Sequence, residues 1–333
     1  MRLVALIVAR FAFIAVFALT VESAVAADVG FEEVKISNGV EPPLTVGIWY
    51  PTHSPPTQHS ANNVTRIAAP DAPIMGHGLP VVVMSHGGAG WYDSHSDTAI
   101  ALAHAGFVAA AVSHAGDTFN DQSHVLQLWR RPAQLRRLVD YMLGEWSWHA
   151  RLARTRIGAF GFSNGGFTVL VAAGGVPDLS QIAPYCQAHS DHDLCEALKR
   201  AGVDPRLGAN VPKSAWIHDP RIKAVVIAAP AFGFAFGRVG LSSVRVPIQL
   251  WRAAYDHHQP NPYYDEAVRV ALPRPPEYHV VANAGHFDFL PPCDARLSRI
   301  APDICTSLPG FDRAAFHEQF NADVVRFFQA KLR

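Results

Sequence analysis

The chain is short of the features that would assign it at once to several large functional classes. Lysine and arginine number 28 and aspartate and glutamate 28 in 333 residues, so neither sign is in excess. Nucleic acids and anionic membrane surfaces both select basic faces, and neither is expected as a partner. Only four cysteines are present, none of them spaced C-x-x-C, and no H-E-x-x-H run occurs, so the common metal-ligand spacings are missing. Beyond residue 26 no apolar run approaches the roughly 20 residues needed to span a bilayer. Internal repeats, low-complexity tracts and an evident interdomain linker are also missing.

What is present begins with Arg2 and Arg10, an apolar run over 11–21 and the small-residue pattern Ala24-Val25-Ala26. This reads as a secretory signal cut after Ala26. A membrane anchor is the competing reading, but Arg10 interrupts the apolar stretch, and no cysteine follows at once to accept a lipid. Cleavage would leave 307 residues with 26 basic and 27 acidic side chains, expected to form one catalytic domain over 27–333. Its expected location is periplasmic or extracellular, an oxidising setting in which the cysteines pair. Local pairing joins Cys186 with Cys195 and Cys293 with Cys305, although four cysteines admit three connectivities. His189, Asp191, His192 and Asp193 crowd the first of these loops, so a metal site there is the rival reading; the expectation is no metal and no cofactor.

Short apolar, β-branched runs at 79–85, 107–112, 156–162, 224–229, 246–251 and 277–281 read as buried strands. Helical spacing appears over 97–105, 132–143, 163–173 and 313–332, with Pro132 suited to a first helical turn. Strands alternating with helices predict the α/β class: a mostly parallel, twisted sheet of about eight strands covered by helices on both faces. Segments 30–37 and 44–50 read as an antiparallel hairpin at the sheet edge. The stretch 51–80, rich in Pro, Ser, Asn and His, reads as a surface connection. Residues 176–220 interrupt the alternation and are expected to form a cap-like insertion over the C-terminal edge of the sheet.

Chemistry enters with Gly161-Phe162-Ser163-Asn164-Gly165, which lies between a strand and an apolar helix. A nucleophilic serine on a tight strand-to-helix turn needs neighbours without side chains at both flanking positions, and glycine meets that need. A helix N-cap would explain Ser163 but neither glycine. Serine is a weak nucleophile until a base removes its proton. Of 17 histidines, His286 in Asn283-Ala284-Gly285-His286-Phe287 sits just past the last strand and before the C-terminal helix. His279 lies inside a strand and His317 inside a helix, so each is expected to be structural. Asp256 follows the preceding strand by a short loop and is the expected acid, with Asp265 the alternative; Asp219 precedes its strand and fits poorly. Two backbone N–H groups are needed for a developing oxyanion. Asn164 is expected to supply one and Gly88, in Ser85-His86-Gly87-Gly88-Ala89-Gly90, the other, with Ala89 as substitute. His114, in His114-Ala115-Gly116-Asp117, either lines the substrate pocket or hydrogen-bonds its own loop. Phe232, Phe234 and Phe236 form either an apolar pocket wall or core.

Taken together, the elbow, Val83-Met84-Ser85-His86-Gly87, the run from Gly106 through Phe107 to His114, and Asn283-Ala284-Gly285-His286-Phe287 resemble the dienelactone-hydrolase-like branch of the α/β-hydrolases. Within it they are close to the platelet-activating-factor acetylhydrolase-like serine esterases. The resemblance implies a Ser163, Asp256 and His286 triad with an oxyanion hole near Gly88 and Asn164, and cofactor-free hydrolysis of a small-molecule ester. Dienelactone hydrolases carry a cysteine nucleophile where this chain has serine, so their substrate does not transfer. Phospholipid or polyester hydrolysis by the same mechanism is an alternative. A cofactor-free haloperoxidase or lyase, or a silent binding protein on the same fold, are rivals from other classes.

Overall fold

The computed structural model describes residues 28–61 and 64–333; the expected signal segment, 1–26, lies outside the described residues. Among the described residues ten strands form the sheet: β1 (Asp28–Asn38), β2 (Glu41–Thr52), β3 (Thr57–Ala61), β4 (Val64–Pro70), β5 (Leu79–Ser85), β6 (Val108–Val112), β7 (Leu152–Phe162), β8 (Ile222–Ala228), β9 (Ile248–Ala253) and β10 (Glu277–Val281). Their spatial order is β10-β9-β8-β7-β5-β6-β2-β1-β4-β3. From β6 through β5, β7, β8 and β9 to β10 every pairing is parallel, and β2 joins β6 antiparallel.

The inner parallel strands β5, β6 and β8 are largely apolar because both faces are covered. Val81 and Val83 of β5 enter one core, while Val82 and Met84 enter the other; β8 divides likewise, with Val225 and Ile227 opposed to Val226 and Ala228. The first core is closed by α2 (Arg130–Gly144) and α3 (Asn164–Ala172), the second by α1 (Ser96–His104) and α9 (Arg313–Lys331). Asp312 caps α9 by accepting the Ala315 N–H at 3.0 Å, and Phe320, Val324, Phe327 and Phe328 of that helix are buried against the sheet.

Two expectations need correction. Among the described residues the sheet has ten strands, not about eight, because β3 and β4 lie within 51–80, whose composition reads as a surface connection. The β1–β2 hairpin is therefore inside the sheet, and β3 holds the edge. Composition concealed this: the β4–β1 ladder is short, pairing Gly30 with Ala69 and Phe31 with Pro70, and Pro70 ends it where a missing N–H is tolerated. The segment 176–220 carries α4 (Ile182–Ala188) and α5 (Asp193–Arg200), joined by the Cys186–Cys195 disulfide. Tyr185, on α4, stacks on Phe234 with centroids 3.9 Å apart, and Asp193, on α5, pairs with His258 at 2.6 Å. The insertion thus rests on loops that follow β8 and β9. Cys293 and Cys305 form the second disulfide, around the short helices α7 (Leu297–Ile300) and α8 (Pro302–Cys305), and α6 (Asp265–Ala271) precedes β10.

Candidate active site

Between the end of β7 at Phe162 and the start of α3 at Asn164 only Ser163 remains to turn the chain, and its backbone sits at φ +54°, ψ −119°. A non-glycine residue held at positive φ carries strain of order 1–3 kcal/mol and persists only where its surroundings fix it. Here the Ser163 N–H donates to the Ala228 carbonyl at 2.9 Å, and the Ser163 carbonyl accepts from Phe167 and Ala231 N–H groups, each at 3.0 Å. A Cβ at position 161 would overlap the Gly165 carbonyl, and one at 165 would overlap the Ser85 carbonyl, so backbone crowding dictates both glycines.

The loops after β9 and β10 meet this turn. Ala254 N–H donates to Val281 O and Tyr255 N–H to Ala284 O, both at 2.9 Å, which ties the two loops together. His286 opens a short helical turn held by Asp288, whose Oδ2 accepts the Gly285 N–H at 2.7 Å while Oδ1 pairs with Arg313. As a result the His286 Nδ1 lies 2.7 Å from Asp256 Oδ2, and its Nε2 lies 3.1 Å from Ser163 Oγ. All three side chains are buried, with residue exposures of 8% for Ser163, 7% for Asp256 and 5% for His286. The second Asp256 oxygen accepts the Gln259 N–H at 2.7 Å. Burial acts to raise the Asp256 pKa, but the charge and hydrogen bond of His286 and the Gln259 amide outweigh it and hold the carboxyl below its usual value.

Asp265, the alternative acid, does not reach His286. It is fully buried at the start of α6, and burial together with the nearby Asp256 charge pushes its pKa well up, which favours the neutral acid. Asp219 pairs with Arg221, His279 stacks on Trp251 and bonds Glu277 at 2.9 Å, and His317 bridges Asp97 at 2.6 Å and the Asp288 carbonyl at 2.9 Å.

The loop after β5 approaches the serine from the other side. A Cβ on Gly87 would lie 3.4 Å from Ser163 Cβ, and one on Gly88 would lie 2.9 Å from Asn164 Nδ2. Gly88 and Asn164 therefore face each other across the turn. Ala89 fails as the substitute donor: its N–H is committed to Asp117 Oδ1 at 2.8 Å. His114 is fully buried behind this loop, which agrees with the loop-bonding alternative and leaves it no open pocket face. Gln134 Oε1 lies 2.9 Å from its Nδ1 and can only accept from it, so Nε2 accepts a hydrogen bond from the Ser85 hydroxyl at 2.8 Å. Its backbone N–H donates to His86 Nε2 at 3.0 Å. Burial and the Arg131 charge lower both imidazoles, His86 to about 3 and His114 well below the ordinary value, so both are neutral.

Phe232 is buried, at φ +54°, with its ring 5.8 Å from Phe167 of α3, while Phe234 is half-buried under Tyr185 and Phe236 is core. Phe232 also lines a narrow apolar slot with Leu126, Leu194 and Leu198 beneath the insertion. Around Cys186 and Cys195, His189 and His192 stack at 4.8 Å and His192 Nδ1 meets the Tyr185 hydroxyl at 2.7 Å. Among the described residues no group of three or more His, Cys, Asp and Glu side chains gathers as a metal site, and no helix is long and apolar enough to cross a membrane.

Sequence reasoning missed Arg131. Its guanidinium is buried and forms an ion pair with Asp117 behind the loop at 86–90. A basic residue in a first helical turn is an ordinary surface pattern, and nothing along the chain signals that 131 folds inward against 117.

No known protein family and no curated protein matches this chain in sequence. Solved structures do match in shape. A ferulic acid esterase from Streptomyces cinnamoneus is 18% identical with a TM-score of 0.63, over 93% of this chain and 92% of that one. A dienelactone hydrolase from Anabaena variabilis is 15% identical with a TM-score of 0.52, over 90% of this chain and 97% of that one. The resemblance read from the sequence is met at the level of architecture: the chain has the α/β-hydrolase fold.

Proposed function

We propose that this protein hydrolyses carboxylic esters of small molecules through an acyl-enzyme on Ser163. Ser163 Oγ attacks the ester carbonyl carbon and passes its proton to His286 Nε2, while Asp256 holds Nδ1–H and stabilises the imidazolium that forms. The carbonyl oxygen becomes an oxyanion held by the Gly88 and Asn164 N–H groups. Collapse breaks the C–O bond, and the departing alkoxide takes the proton from His286. Water then attacks the acyl carbon with His286 again as base, releasing the acid and restoring Ser163. Acylation and deacylation each begin with a proton passing to His286 Nε2, and each ends with His286 giving that proton up.

The observation that carries this reading is the unbroken line from Ser163 Oγ through His286 to Asp256, at 3.1 and 2.7 Å, beginning on a serine held at positive φ. Export to an oxidising compartment belongs to the same proposal, supported by the signal-like segment and the two disulfides. Replacing Ser163 with alanine tests the reading. Turnover of a chromogenic short-chain ester should drop by up to about 10⁶-fold. Retention of most of the activity by a folded Ser163→Ala protein would refute it.

A further inference from the structure

One guanidinium is bonded to neighbours of both expected oxyanion-hole donors. On the side of the β5 loop, Arg131 donates from Nη2 to the His86 carbonyl and from Nη1 to Asp117 Oδ2, and Asp117 Oδ1 in turn accepts the Ala89 N–H at 2.8 Å. Ala89 sits at φ +54°, a conformation that a side chain bearing a Cβ rarely takes, so an outside partner must hold it there. Gly88, the expected donor, lies between these two anchored residues. On the side of the elbow, Arg131 Nε donates to Thr168 Oγ1 at 3.1 Å, and the Thr168 hydroxyl donates to the Asn164 carbonyl at 2.7 Å. Asn164 is the other expected donor.

Arg131 and Asp117 are each 2% exposed. Taking two charges so far out of water is costly before they pair, and a purely structural pair in such a position can often be replaced by apolar residues without loss. The location of this pair, bridging two elements that carry separate donors, gives it a use that packing alone would not need. We propose that Arg131 and Asp117 are positioning residues that set the separation and tilt of the Gly88 and Asn164 amides. They touch no substrate; they act through the loop at 86–90 and the first turn of α3. This rests on the esterase reading above.

A positioning role of this kind is expressed in the transition state, where the oxyanion has formed, and hardly at all in the bound ester. The experiment compares wild type, Arg131→Lys, Arg131→Met and Asp117→Asn, each shown to be folded by thermal melting. It measures kcat and KM on a chromogenic ester and the inhibition constant of a trifluoromethyl ketone, which forms a tetrahedral oxyanion adduct. Arg131→Met and Asp117→Asn should lose about 10- to 100-fold in kcat with KM within about twofold, and ketone affinity should fall in parallel. Arg131→Lys, which keeps the charge but not every bond, should recover part of both. If Arg131→Met does not fold, Asp117→Asn, which keeps the shape and an acceptor for the Ala89 N–H, still decides. Folded variants with lowered melting temperature but wild-type kcat and ketone affinity would overturn the proposal. Wild type that neither cleaves the ester nor binds the ketone would instead overturn the esterase reading.

Discussion

Exchanging Asp256 for asparagine alters the site by one atom, and the consequence can be worked from the bonds. Asp256 accepts two N–H groups, Gln259 N–H on Oδ1 and His286 Nδ1–H on Oδ2, both at 2.7 Å. Asparagine has one acceptor and one donor end. The Gln259 amide is fixed in the backbone and cannot turn away, so the asparagine oxygen stays with it and the NH₂ group faces His286. His286 must then present a bare Nδ1, which moves its proton to Nε2. That nitrogen now points N–H at Ser163 Oγ and cannot take the serine proton. Loss of turnover by about 10⁴-fold is expected, equivalent to roughly 5.5 kcal/mol of barrier, while the fold should be retained. Steady-state kinetics of folded Asp256→Asn and Asp265→Asn proteins on one ester make the test. Asp265 lies out of reach of His286, so Asp265→Asn should keep activity within about tenfold of wild type. The reasoning fails if Asp256→Asn stays within tenfold of wild type or if Asp265→Asn is the more damaging.

Gly165→Ala should lose at least about 10²-fold in kcat/KM or fail to fold, because its Cβ meets the Ser85 backbone, whereas Gly144→Ala, with open space around it, should be neutral or slightly stabilising. Wild-type activity in Gly165→Ala would count against the crowded elbow. Removing the Cys186–Cys195 bridge, whose partners are 9 residues apart, should cost roughly 2–3 kcal/mol in a denaturant melt. An unchanged midpoint after substitution of both cysteines would contradict that. Acid should destabilise the fold through its buried neutral histidines, since His95, lowered by burial to about 4, and His86, lowered to about 3, bind protons less readily folded than unfolded. The unfolded chain takes up protons near the ordinary histidine value of about 6.5, so stability falls as pH drops from there toward 4, by on the order of 1 kcal/mol per pH unit for each such group. A denaturation midpoint that stays level from pH 7 to 4.5 would refute this.

The inner parallel strands were legible because strands buried on both faces are written as near-continuous apolar runs, and β5 has the bounds read from sequence; β10 has them too, although it is a half-buried edge strand carrying Glu277 and His279. The strand-to-helix turn at Ser163 was legible because crowding leaves glycine at 161 and 165, a constraint visible in the motif itself. The β3–β4 edge was not, since a strand that pairs with one short partner needs little apolar pattern and its residues resemble a loop. The commitment of the Ala89 N–H was also hidden. It depends on Asp117 reaching the Ala89 N–H across 28 residues of chain, and on Arg131 holding Asp117 in turn. Contacts of that kind arise from the packing of α2 against the β5 loop, not from any local rule.

The central claim is that Ser163 carries the acyl group. Mixing the protein with a slowly turned-over chromogenic ester, quenching in acid and mapping peptides by mass spectrometry tests it directly. One acyl group should appear on the peptide containing Ser163, matched by a burst of released alcohol, and both should vanish in Ser163→Ala. Steady ester cleavage with the acyl group on another residue, or with Ser163→Ala unimpaired, would contradict the account.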